Sequence, residues 1–167
     1  EINHRSAKAL VGIGLATRDT KNSNSRENFE RAVRIHPKFF TGYVCLGRHY
    51  QETRDHERAM ANYRVALNGS GVKEVKILLA GLHVQMERPD LAEKLVREEA
   101  DAHPDNFHFN YMTALAMLNS GRIDAAGSYI NTAMEIQPDH RELGILKARF
   151  LYGKGKLAEA RSLLSGM

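Results

Sequence analysis

Three phrases of this chain end in the same way. "ERAVRIHP" stops at Pro37, "VREEADAHP" at Pro104 and "NTAMEIQP" at Pro138. Pro104 and Pro138 lie 34 residues apart, and Pro37 and Pro104 lie 67 apart, close to two such periods. The missing member is "YRVALNGSG", where Gly71 takes the proline slot. Glycine ends a helix there because it enters the left-handed conformation at little cost. A period of this length constrains the fold more than any single motif. Each period is one supersecondary unit too small to bury its own apolar face, so the units must stack.

Between the stops the apolar spacing is helical. In "FTGYVCLGRHYQET" the residues Tyr43, Leu46, Gly47 and Tyr50 fall at i, i+3, i+4 and i+7, and "HERAMANYRVAL" sets Ala59, Tyr63 and Ala66 on one face. Large residues fill the space between two such helices, and small ones let the backbones approach. The fourth unit repeats the pattern as Asn110, Thr113, Ala114, Met117, Ala126, Ile130, Ala133 and Pro138, with its first two large slots polar. The fifth reads Gly144, Lys147, Ala148, Leu151, Ala160 and Leu164. The third is read as Ile77, Ala80, Gly81, Val84, Ala92, Val96 and Pro104, which makes its turn "MERPD" one residue shorter and puts Glu99 where an alanine is expected. Pro89 suits the first turn of the following helix, where no amide partner is lost. The first unit is degenerate: Val11, Gly12 and Leu15, then an enlarged polar turn "TRDTKNSNS", then Phe29, Ala32 and Pro37, with Asn24 and Glu27 placed for a helix cap.

The set Tyr43–Leu46–Gly47–Tyr50–Ala59–Tyr63–Ala66 resembles the tetratricopeptide repeat (TPR) family, with Tyr standing for the usual first Trp and for the later Phe. The resemblance runs over the whole chain and is strongest in the second and fourth units. It implies an all-α, right-handed solenoid of about five helix–turn–helix units, at residues 4–39, 40–73, 74–106, 107–140 and 141–167, in one repeat domain. It also implies a non-catalytic protein-interaction module in which the first helices line a concave groove. Carried over residue by residue, the groove positions are Val44, Arg48 and Gln51; Leu78, Leu82 and Gln85; Tyr111, Leu115, Leu118 and Asn119; and Ile145, Arg149 and Tyr152. Such a lining suits a peptide with apolar anchors and an acidic group near one end. The carboxylate clamp of chaperone-binding members is not expected, because Ala9, Ile13, Cys45, Val75 and Leu79 stand at its aligned positions. Relatives of this kind serve in signalling, secretion and pilus or envelope assembly, and the looseness of the repeats has a bacterial look.

The residues that first suggest chemistry have structural readings. "RHYQETRDHE" gathers His49, Glu52, Asp55, His56 and Glu57. Its turn separates His49 from His56, and no spacing fixes the third ligand that zinc needs. Asp55 and Glu57 belong at a helix start, where acids favour the dipole. His103 and His108 straddle Pro104, while His83 and His140 fall in different units. "GIG" at 12–14 and "GKGK" at 153–156 lack the remaining residues of a dinucleotide turn and a phosphate loop. The lone Cys45, in an apolar stretch, reads as a small core residue. No cofactor, metal or catalytic set is expected.

The longest apolar runs fall far short of a membrane span of about 18 residues. The net charge of +4 is spread among acids rather than gathered in a block, which disfavours nucleic acid. An RNA-binding helical repeat and a metal- or ligand-binding enzyme remain as alternative classes. The chain opens "EINHRSAKAL" without Met or a signal pattern, which reads as a piece of a longer or processed protein and leaves the compartment open. At the other end Leu157, Leu163, Leu164 and Met167 lack the polar cap that a repeat array needs. Further chain, a partner or a second copy must cover them, so self-association through the last repeat is one expectation.

Overall fold

A computed structural model describes residues 2–18 and 24–167, so most of the expected enlarged turn, residues 19–23, lies outside the described residues. The described residues form ten helices and no strand. In order these are α1 (Ile2–Thr17), α2 (Ser25–Ile35), α3 (Phe40–Glu52), α4 (His56–Ser70), α5 (Val75–Gln85), α6 (Pro89–Ala102), α7 (Phe107–Asn119), α8 (Ile123–Ile136), α9 (Arg141–Gly153) and α10 (Leu157–Ser165). They form two compact units, Glu1–Val75 and Lys76–Met167.

One turn recurs between the helices of four pairs. The second residue after the first helix adopts a left-handed φ: Arg54 at 61°, Glu87 at 57°, Gly121 at 75° and Gly155 at 76°. The following amide then reaches back over the helix end, Asp55 to Tyr50 at 2.8 Å, Arg88 to His83 at 2.8 Å, Arg122 to Met117 at 2.9 Å and Lys156 to Leu151 at 2.9 Å. These are Schellman closures, which satisfy carbonyls the helix leaves open. Glycine adopts that conformation freely, whereas a residue with a Cβ loses about 1–2 kcal/mol. Arg54→Gly and Glu87→Gly therefore each raise stability by about 1 kcal/mol, or about 2–4 °C in melting temperature, after allowing for glycine's greater unfolded freedom. Thermal unfolding followed by circular dichroism checks this. The other expected glycine stop is present too: Gly71 closes α4 at φ 67°.

In the first unit α1, α2 and α3 share a core of Ala7, Val11, Phe29, Ala32, Cys45 and Leu46, and Tyr63 is fully buried beside it in α4. Gly47 sits against the Tyr63 ring so closely that a Cβ there would lie 2.4 Å from it. The first helix corrects the expected stripe. Ala7, Val11 and Gly14 face inward, while Gly12 and Leu15 are exposed. It is Gly14 whose Cβ would strike the Phe29 ring, at 2.4 Å. Asn24 stands at the N-cap of α2 but makes no side-chain cap hydrogen bond.

In the second unit Ala80, Ala92, Val96 and Ala100 form a core with Phe109 and Ala116. Ala114, Met117, Ala126, Ile130 and Ala133 form the next one with Leu143 and Leu146 of α9. Here the expected register of α5 is off by one. Ala80, fully buried, is the small residue facing α6, whereas a Cβ on Gly81 would meet only the tip of Met112 at 3.7 Å. The turn before α6 is thus of normal length, and the short period of this repeat, 33 residues from Gly71 to Pro104, arises elsewhere. The corrected register puts Lys76 in the slot that Tyr43 and Asn110 fill in neighbouring repeats, and Lys76 Nζ meets Glu99 Oε1 at 2.7 Å. Glu99 occupies the small-residue slot at 5% exposure, so each member of this pair explains the other. The polar Asn110 is buried but satisfied, its amide donating to the Pro104 and Asn106 carbonyls at 2.9 Å each.

Candidate partner-binding surface

Three positions of the expected groove lie on α3 in the first unit. Arg48 is exposed, and Val44 and Gln51 are half-buried. Gln51 is engaged internally, because the Tyr63 hydroxyl donates to its Oε1 at 2.8 Å. Burial pushes the Tyr63 phenol up to about 12, so it stays protonated and keeps donating. Burial likewise raises the Cys45 thiol, which keeps it neutral and poorly nucleophilic.

On α5 the one-residue register shift moves the face. Leu82 is 0% exposed and offers a partner no area; Leu78 is half-buried and Gln85 exposed. The residues that correspond to Val44, Arg48 and Gln51 are Ile77, Gly81 and Val84. Sequence reading missed them because Ala80 and Gly81 are both small, and only the packing against α6 decides which one faces inward.

On α7, Tyr111, Leu115 and Leu118 are half-buried against the core that α9 completes, so part of each side chain serves packing. The Tyr111 ring stacks on Phe107 at 5.9 Å, and His140 closes the cluster 4.6 Å from Phe107 and 5.9 Å from Tyr111. Burial, and then the Glu142 carboxylate, raise the Tyr111 phenol above its ordinary value. His140 also caps α9, its Nδ1 accepting from the Leu143 amide at 3.3 Å. Its sequence cue was the position just ahead of an amphipathic helix. Asn119 is exposed and accepts a hydrogen bond from Arg149 Nη2 at 2.7 Å, which joins α7 to α9 across their polar edge.

On α9, Ile145, Arg149 and Tyr152 do more than line a first-helix face. With Ala148, and with Ala160 and Leu164 of α10, they bound an apolar slot of about 330 Å³. The contribution of α10 was not foreseen, since only first helices were expected to line the groove.

The histidine and acid cluster has no metal geometry. Among the described residues no group of three His, Cys, Asp or Glu side chains could hold an ion. Asp55 instead caps α4, accepting from the Arg58 amide at 3.1 Å, and His49 packs edge-on against Tyr50. No described helix is long and apolar enough to cross a membrane.

Residues 77–141 match the tetratricopeptide repeat family model. That stretch therefore carries tetratricopeptide repeats. No curated protein sequence matches it. Among solved structures, PilF of Pseudomonas aeruginosa superposes with a TM-score of 0.83 at 18% identity, over 98% of this chain and 75% of that one. PilW, a widely conserved type IV pilus biogenesis factor, gives 0.84 at 16% identity, over 95% and 74%. YrrB, described as a TPR protein with an unusual peptide-binding site, gives 0.70 at 18% identity, over 98% and 81%. At these identities the likeness is one of fold. The tetratricopeptide fold is generally a non-catalytic interaction module.

Proposed function

We propose that this tetratricopeptide-repeat protein is a scaffold or adaptor that holds a peptide or partner protein along the first helices of its repeats, without chemistry of its own. In the second unit the binding face runs over Tyr111, Leu115, Leu118 and Asn119 of α7 and Arg149 of α9. The observation that carries the reading is the pairing on one edge of a partly exposed aromatic cluster with Arg149, whose guanidinium donates to the neutral Asn119. An aromatic anchor beside a guanidinium is the composition enriched at protein hot spots. In the first unit Arg48 offers the same chemistry on α3. Single-stranded RNA would need a basic first-helix face, and α7 carries neither Lys nor Arg.

Affinity capture from a native extract tests this, with the protein beside its Tyr111→Ala/Arg149→Ala variant. Partners retained by the protein and reduced about ten-fold with the variant support the reading. Partners retained equally by both, with unchanged melting temperatures, overturn it. Tight, salt-sensitive retention of single-stranded RNA on a filter would move the function to nucleic acid.

A further inference from the structure

The surface charge changes sign along one line of repeat positions. On α2, Arg31 and Arg34 lie on the side opposite the buried Phe29 and Ala32, and Lys38 follows in the turn; all three are exposed. The same slots, 34 positions on, hold the neutral Val65, Asn68 and Val72. In the third repeat, 67 positions on, they hold Glu98, Asp101 and Asp105, again all exposed. The fourth repeat continues the acidic run with Glu135 and Asp139. The third repeat has helices both before and after it, and its slots stay open all the same, so no neighbouring repeat covers them.

The reversal is regional. Residues 31–51 carry four bases and no acid, whereas residues 98–140 carry seven acids and one base. Much of this charge has no counterpart within the chain. Among the described residues no carboxylate pairs with Arg31, Arg34 or Lys38, and no cation pairs with Glu98 or Asp105. Cations elsewhere do find partners, as Arg26 does in Glu30, Arg58 in Asp55 and Arg97 in Asp101. Like charges in successive slots repel one another, and a complementary row relieves that repulsion. We infer that the basic edge Arg31–Arg34–Lys38 of one chain docks the acidic edge Glu98–Asp101–Asp105 of a second copy. Complementarity slot for slot favours this occupant over an unrelated acidic protein, because the two rows share one spacing. Exposed ion pairs are individually weak and screened by salt, so they support a low-salt, concentration-dependent association and not an obligate dimer. The contact uses second helices and the turns after them, so it does not depend on how the first-helix face is read.

Sedimentation velocity of the full chain, up to about 100 µM, tests this. At about 20 mM salt the mass is expected to rise with concentration, and association weakens about ten-fold or more at about 0.5 M salt. Two charge-reversed variants, Arg31→Glu/Arg34→Glu/Lys38→Glu and Glu98→Arg/Asp105→Arg, are each expected to stay monomeric with unchanged helical circular dichroism. Mixed in equal amounts they associate again, because each supplies the edge that the other needs. Arg31→Gln/Arg34→Gln is the milder variant and weakens association about five-fold. A monomer at every concentration in low salt overturns the proposal. So does association that neither reversal reduces, which would place the contact on another surface. Loss with the basic-edge variant alone overturns it as well, since the acidic occupant then lies elsewhere. A mixture of the two folded variants that stays monomeric has the same meaning. Salt-sensitive retention of single-stranded RNA that Arg31→Glu/Arg34→Glu/Lys38→Glu abolishes, without self-association, would assign the basic edge to nucleic acid instead. Neither variant alters Tyr111 or Arg149, so failure here is distinct from failure of the first-helix face.

Discussion

Gly47→Ala lowers the stability of the chain by about 1–2 kcal/mol, even though alanine is the better helix former by about 1 kcal/mol. The methyl would stand 2.4 Å from Tyr63 Cε1 and 2.5 Å from Cδ1. The ring cannot retreat, because Tyr63 is fully buried and its hydroxyl is held by Gln51. The fourth repeat solves the same contact differently, with Ala114 and Ile130 in the corresponding places and both fully buried. Tyr63→Ile alone opens a cavity and costs about 2–4 kcal/mol. In the double variant Gly47→Ala/Tyr63→Ile the two changes complement each other, and the loss falls short of the sum by about 1–2 kcal/mol. Gly81→Ala is the control. It meets nothing closer than Met112 Cε at 3.7 Å and is expected to be neutral or slightly stabilising. Urea unfolding of the five proteins measures the coupling, and simple additivity at the Gly47–Tyr63 pair contradicts the packing described here.

Lys76→Met lowers stability by about 2–3 kcal/mol, whereas Glu99→Ala changes it by less than about 1 kcal/mol. The two partners of one ion pair differ because their surroundings differ. The Glu99 side chain is 7% exposed and the Lys76 side chain 26%. Without Lys76 the glutamate loses the ammonium group 2.7 Å from its carboxylate and stays buried. Without Glu99 the lysine can reach water along its own stem. Alanine is also the residue found in this slot in three other repeats, at Ala32, Ala66 and Ala133, all fully buried. Adding Glu99→Ala to Lys76→Met should recover most of the loss. Equal destabilisation by the two single substitutions would contradict this account of the pair.

The repeat was legible because its signals are redundant. Pro37, Gly71, Pro104 and Pro138 mark helix ends by backbone chemistry alone, and Ala59, Tyr63 and Ala66 mark a face by spacing. Register failed where that redundancy failed. In α5 two small residues stand side by side, and the one that faces α6 is decided by Val96 and Ala92, far away in sequence. In α1 the choice between Gly12 and Gly14 depends on where the Phe29 ring lands. Those errors carried into the candidate site, placing Leu82 on a binding face although it is buried. The α9–α10 slot was half visible, as exposed apolar residues without a cap. His140 was passed over because its roles, capping α9 and closing an aromatic cluster with Phe107, follow from tertiary contacts and not from spacing.

Hydrogen–deuterium exchange on the protein alone and with a captured partner tests the central claim most directly. The first-helix reading predicts slower exchange in α7 and α9, at residues 107–119 and 141–153, centred on Tyr111 and Arg149. Protection confined to the second helices α6 and α8, with α7 and α9 unchanged, would contradict it.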